Sequence, residues 1–215
     1  MIISPQRGYI FVHIPKTGGT ALSLALEDRA MKDDILIGDT PKAVKRRGRL
    51  KGLEARGRLW KHSRLSDIEG VLPPDRIAEM FVFTLVRNPW DRMVSYYHWL
   101  RAQSFEHPAV ALSRELDFAG FVAHPLTAQS FANDTARHYV TLSDGREVDA
   151  LFLRLERLEH DIEKVETRLD LSLGRIARVN ASLRSRNYRD YYDAETARIV
   201  GEICAEDVER FGYAF

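Results

Sequence analysis

The sequence predicts an α/β fold, a parallel sheet flanked by helices on both faces, and three observations carry that reading. Three short runs rich in β-forming residues stand apart along the chain: "GYIFVHI" at 8–14, "EMFVFTLV" at 79–86 and "ALFLRL" at 150–155. They are strand-length and continuously apolar, as strands buried on both faces must be. Each is followed by a stretch with helical periodicity, and strands alternating with helices favour a parallel sheet. Such sheets bind ligands at the carboxyl ends of their strands. Two of those ends carry polar clusters, "HIPKTGGT" and "RNPWDR".

The elements follow in order. After the first strand, Gly18-Gly19 makes a tight turn and a helix runs from about Thr20 to Ala30. A short helix is expected over Leu65–Val71, ending before Pro73. After the second strand, Asn88 is placed to cap a helix with Pro89 at its first position, where a missing N–H costs nothing. Trp90, Met93, Val94, Tyr97 and Leu100 repeat there at helical spacing and should face the core. Residues 104–148 give no clear pattern beyond "LSDGREV", a turn between short extended pieces. After the third strand, Leu155, Leu158, Ile162, Val165 and Leu169 form an apolar stripe. "NASLRSRNYRDYY" reads as a loop, and a last helix is expected from Ala194 to about Arg210.

With 215 residues, 45% of them hydrophobic, the chain suits a single domain over 1–215 with a basic insertion at about 42–64. That insertion holds ten Lys or Arg against one acidic residue, Glu54. It is either a solvated excursion or a cationic wall facing an anionic ligand. Nucleic acid is not expected as a partner, because the rest of the chain cancels the charge to a net +1 and no nucleic-acid motif is present. The single cysteine, Cys204, allows no intrachain disulfide and sits in a helical pattern as a small core residue. No secretory signal is read at the start, and no apolar run approaches the ~18 residues of a membrane span. A cytoplasmic setting is expected; oligomeric state is left open.

"PKTGGT" places its lysine before the glycines, whereas a Walker loop places it after them. The residues alone allow two readings. Gly18-Gly19 is a plain turn with Thr20 as a helix cap, or the turn is an anion site. In the second case, glycines let the backbone approach a ligand, helix N–H groups converge on it, and Lys16, Thr17 and Thr20 add donors. Arg87, just past the second strand, and Ser95, two turns into the following helix, suit a second phosphate at a separate position.

"FVHIPKTGGT" and "FVFTLVRNPWDRMVSYYHW" resemble the two signature segments of sulfotransferases that use 3′-phosphoadenylyl sulfate (PAPS). More narrowly, they resemble the family that includes carbohydrate sulfotransferases and many bacterial relatives (sulfotransferase family 2). The resemblance extends to "KHSRLSDI", "LFLRLERLEHD", "NASLRSRNYRDYYDAETARIV" and "DVERFGYAF", most of the chain. It implies a P-loop-like sheet, PAPS as co-substrate and no required metal. It assigns Lys16, Thr17, Gly18, Gly19 and Thr20 to the 5′-phosphosulfate, and Arg87 and Ser95 to the 3′-phosphate. His62 in "KHS" matches the position of a family histidine and is the first candidate for general base. Lys61 and Arg64 beside it favour the neutral, proton-accepting form. Arg64 departs from the small-residue pattern of that segment.

Glu54 and Asp91 are the alternative bases, with Asp91 expected to pair with an arginine or favour the helix N-terminus. His13 is expected to be structural. Asn180, Ser182, Arg184 and Arg186 are expected to close over the nucleotide or the acceptor. His98, His107, His124 and His138 lack metal-ligand spacing. The acceptor is expected to be a hydroxyl ahead of an amine, on a carbohydrate or other anionic molecule. The rival readings are a catalytically degenerate binder of PAPS or its product 3′,5′-ADP (PAP), and a small-molecule kinase, which the missing Walker motif disfavours.

Overall fold

The computed structural model describes residues 1–176, 184–185 and 187–215. In chain order the elements are β1 (Ile2–Ser4), β2 (Tyr9–Val12), α1 (Gly19–Asp28), β3 (Ile35–Leu36), α2 (Pro41–Arg46), α3 (Pro74–Glu79), β4 (Phe81–Val86), α4 (Pro89–Arg101), α5 (Pro108–Glu115), α6 (Phe118–Ala123), α7 (Pro125–Ala132), α8 (Ala136–Tyr139), β5 (Ala150–Arg154), α9 (Leu158–Leu169), α10 (Ala194–Ile203) and α11 (Ala205–Phe211). Single 3-10 turns lie at Arg47–Leu50, Leu65–Ile68, Leu155–Arg157 and Tyr188–Tyr191. The chain divides into two compact units, Met1–Val86 with Ala136–Val179, and Arg87–Thr135 with Asn180–Phe215.

The first unit is built on a five-stranded sheet in the order β3-β1-β2-β4-β5. The three strands read from sequence, β2, β4 and β5, are parallel neighbours, so their carboxyl ends share one edge. The sheet as a whole is mixed rather than purely parallel. β1 pairs antiparallel with both β2 and β3. The cause is the connection: only Pro5–Gly8 separates β1 from β2, too short for a parallel crossover, and Gly8 takes the left-handed φ of +67° that closes the turn. Tyr9, Phe11, Phe83, Leu85 and Leu153 form one core with Leu22 and Leu26 of α1 and Ile162 and Val165 of α9. The alternate residues Ile10, Val12, Val82 and Thr84 are buried too, so these strands are covered on both faces.

The basic stretch folds onto the end of α1. Thr40 caps α2 and donates its hydroxyl proton to the buried Glu27 carboxylate at 2.7 Å. Lys42 donates to the Glu27 carbonyl, Arg46 to the Met31 carbonyl at 2.8 Å and Arg49 to the Lys32 carbonyl at 2.5 Å. Lys42 thus meets the carbonyl end of α1, where the helix dipole favours positive charge, while Arg46 and Arg49 tie down the loop that follows it. The expected helix over 65–71 is only a 3-10 turn over Leu65–Ile68.

The second unit packs around α4. Trp90, Met93, Val94, Tyr97 and Leu100 are buried, as their spacing requires, against Phe118, Phe121, Phe131 and Val200. Asn88 caps the helix, accepting from the Trp90 and Asp91 N–H groups. The stretch 104–135, unreadable from sequence, holds three short helices. The last expected helix is two, broken at Cys204.

Candidate active site

The turn after β2 is shaped by sterics. Lys16 adopts φ +65° and Gly18 φ +88°, so a non-glycine residue sits in the left-handed region two positions before a glycine that also needs it. A left-handed lysine costs of order 1–2 kcal/mol and is held by its surroundings. A Cβ on Gly18 would come within 2.6 Å of Leu155 Cδ1, and one on Gly19 would collide with the His13 ring. Both glycines are therefore required by packing. Gly18, not Thr20, is the helix cap. It supplies no side-chain hydrogen bond, and the first turn of α1 holds no acidic residue. Those N–H groups stand at the positive end of the helix dipole without a capping side chain. The Thr17 hydroxyl donates to the Ile14 carbonyl at 2.8 Å and the residue is 1% exposed. Its contribution to an anion site falls to its backbone N–H.

His62 is tied to the same place. Its Nδ1–H donates to the His13 carbonyl at 2.7 Å, which leaves Nε2 as the basic nitrogen of the neutral ring. The His13 and His62 rings meet edge to face at 4.6 Å, and His13 in turn packs on Gly19. Burial above all, with His62, Lys61 and Lys16 nearby, holds His13 well below its ordinary 6.5, so it is a neutral spacer between loop and His62. Trp60, 42% exposed, stands edge-on to His62 at 5.0 Å. Trp60 was not singled out from the sequence, and Leu155 was read only as part of an apolar stripe, not as a neighbour of Gly18. A large exposed aromatic next to "KHS" was the available signal for the first; the second depends on tertiary contact.

In the second unit, Asp91 joins Arg87, an expected phosphate ligand, to Arg184, expected to close over the nucleotide or the acceptor. Arg87 donates to Asp91 Oδ2 through Nε at 2.8 Å and Nη2 at 2.7 Å, and Arg184 Nη2 donates to Oδ1 at 2.6 Å. Asp91 is thus occupied by two guanidinium groups, the pairing expected of it, and is a poor candidate for base. Ser95 lies one turn further along α4 and is buried. Arg186, Asn180 and Ser182 lie outside the described residues. Lys16, Thr17, Gly18, Gly19, Thr20 and His62 belong to the first unit, and Arg87, Ser95 and Arg184 to the second.

The remaining candidates take other roles. Glu54 is exposed. Burial pushes the Cys204 thiol up to about 12, which suits a core residue and not a nucleophile. His107 and His124 cap α5 and α7, accepting the Ala109 and Leu126 N–H groups at their Nδ1 atoms. Among the described residues no helix is long and apolar enough to cross a membrane.

A family model described as "Sulfotransferase family" matches residues 1–214. A comparison with curated proteins gives no match. Among solved structures, the crystal structure of mouse sulfotransferase SULT7A1 complexed with PAP is similar at 18% sequence identity and a TM-score of 0.49, covering 94% of this chain and 84% of that one.

Proposed function

The chain belongs to the sulfotransferase family and is an enzyme of sulfuryl transfer, and from that premise we propose that its donor is PAPS and its acceptor a hydroxyl. The observation that carries the reading is the lysine-first turn: left-handed Lys16, two glycines fixed by packing, an uncapped α1 N-terminus, and His62 anchored one ring away. In this reading Lys16 and the N–H groups of residues 17–20 hold the 5′-phosphosulfate. Arg87, Ser95 and Arg184 hold the 3′-phosphate.

The chemistry is an in-line displacement. The acceptor oxygen bonds to sulfur as the bond from sulfur to the bridging phosphate oxygen breaks. The electron pair of that bond ends on the 5′-phosphate, giving PAP, and the acceptor proton passes to His62 Nε2. Charge grows on the bridging oxygen, where the Lys16 ammonium and fixed N–H dipoles lower the barrier. His62 needs its hydrogen bond to the His13 carbonyl for this, because that bond places the neutral ring's proton on Nδ1 and so presents Nε2 as the proton acceptor. The acceptor is proposed to be anionic, such as an acidic glycan. The support is a cavity of about 470 Å³ lined by Lys42, Lys45, Arg46, Gly48 and Arg49.

Calorimetric titration with PAP, 5′-AMP and ATP with magnesium tests the donor. PAP should bind more tightly than either, and Lys16→Ala and Arg87→Ala should each weaken it by at least about tenfold. A preference for ATP with magnesium would move the chain to the kinase reading. In a sulfated-glycan screen, His62→Ala should lower turnover by about 10²–10⁴-fold with PAP affinity intact. Unchanged turnover would remove His62 as base.

A further inference from the structure

Among the described residues of the second unit, two buried side-chain atoms have no hydrogen-bond partner, His98 Nε2 and Arg184 Nη1. They are neighbours. The Arg184 charge bears on His98, and both stand by the α4 face that carries Asp91. Asp91, Ser95 and His98 follow at i, i+4 and i+7, which puts them on one stripe of the helix. The Arg184 side chain is only 9% exposed. Its Nη2 is spent on Asp91, and its Nη1 is left without an acceptor. Two unsatisfied donors on one wall call for an acceptor that the described residues do not provide. A phosphate supplies three terminal oxygens and serves several donors at once.

We infer that His98 is a phosphate ligand of this enzyme, its Nε2–H donating to the same phosphate that Arg87, Ser95 and Arg184 hold. Burial and the charges of Arg184 and Arg101 keep the ring below its ordinary protonation range, so it acts as a neutral donor with its proton on Nε2. Its ring is held edge-on by Tyr191 at 5.0 Å. A neutral imidazole adds no charge, so its effect is directional: it favours an anion at this one position over the same nucleotide without it. His98 therefore sets the preference for a 3′-phosphorylated nucleotide. The inference rests on the two-phosphate reading above.

Calorimetry on the full chain with PAP and with 5′-AMP separates the two. The wild type should prefer PAP. His98→Leu should lose about tenfold in PAP affinity and nothing in 5′-AMP affinity. His98→Gln, which keeps a donor, should recover most of the loss. The urea midpoint of ligand-free His98→Leu should equal or exceed that of the wild type, since the substitution removes a donor that no described protein group satisfies. An unchanged PAP to 5′-AMP ratio in His98→Leu overturns the role of His98 alone. So does a lowered ligand-free midpoint with both affinities falling together. A wild type that binds PAP and 5′-AMP equally overturns the two-phosphate reading itself, and this inference with it.

Discussion

The turn after β2 and the face of α4 are the two regions proposed to receive an anion, and they are held in place by different physics. The turn is a backbone structure. Its shape follows from the left-handed Lys16 and Gly18, from Gly19 pressed on the His13 ring and from Leu155 packed on Gly18. The α4 face is a side-chain structure. Arg87 and Arg184 are positioned by one carboxylate, Asp91, with side chains 10% and 9% exposed against 21% for Asp91. Sterics fix the first site before any ligand arrives. Charge balance fixes the second, which makes it sensitive to the loss of a single group.

The comparison breaks most visibly at Asp91. Asp91→Ala removes the carboxylate that two poorly solvated guanidinium groups share. Removing one partner of a buried ion pair costs about 3–5 kcal/mol. We expect a loss of about 3 kcal/mol, read as a fall in the urea midpoint, and partial recovery on adding phosphate. A loss below about 1 kcal/mol would mean that solvent reaches the network and that its order comes from elsewhere. Gly19→Ala probes the other region. The added methyl must displace the His13 ring, at about 1–3 kcal/mol, and PAP binding should fall with it because His13 also carries His62. Phosphate should not restore this variant, since the fault is steric. Equal rescue of both variants would erase the distinction between the two regions.

That distinction also explains how much was legible in the sequence. Backbone-built features leave local marks. The runs that became β2, β4 and β5, the Gly18-Gly19 turn and the Asn88-Pro89 helix start all lie within a few residues of the signals that announce them. Side-chain networks leave none: Asp91 and Arg184 are 93 residues apart, and nothing in either neighbourhood names the other. β1 and β3 were missed because strands of three and two residues carry no periodicity. The helices of 104–135 were missed because they are eight residues or shorter and two of them are capped by histidines ahead of prolines, an unusual signal. Asp117, which caps α6 through the Gly120 N–H at 2.8 Å, was a readable mark of the ordinary kind. His98 was considered only as a metal ligand, although its spacing from Asp91 and Ser95 was open to reading.

The smallest effect concerns pH, and it sharpens the comparison through one histidine in each region. Both His13 and His98 are held below the ordinary 6.5, first by burial. A group whose folded-state pKa is depressed binds its proton in the unfolded chain first. Stability is therefore full above about pH 6.5 and declines as pH falls below it toward the folded-state value. Each such histidine adds a slope of at most about 1.4 kcal/mol per pH unit in that window. His13 is 6% exposed and shifted well down, so its contribution should continue to lower pH than that of the partly exposed His98. Urea midpoints taken between pH 7.5 and 5 should fall in the wild type, fall less steeply in His98→Leu, and fall least in His13→Gln. Phosphate distinguishes the two further. If His98 meets an anion, bound phosphate offsets the burial that opposes its protonation, and its share of the slope should shrink. The share from His13, a neutral spacer that touches protein on all sides named above, should persist. A slope unaffected by either substitution would mean that the pH response belongs to the carboxylates instead.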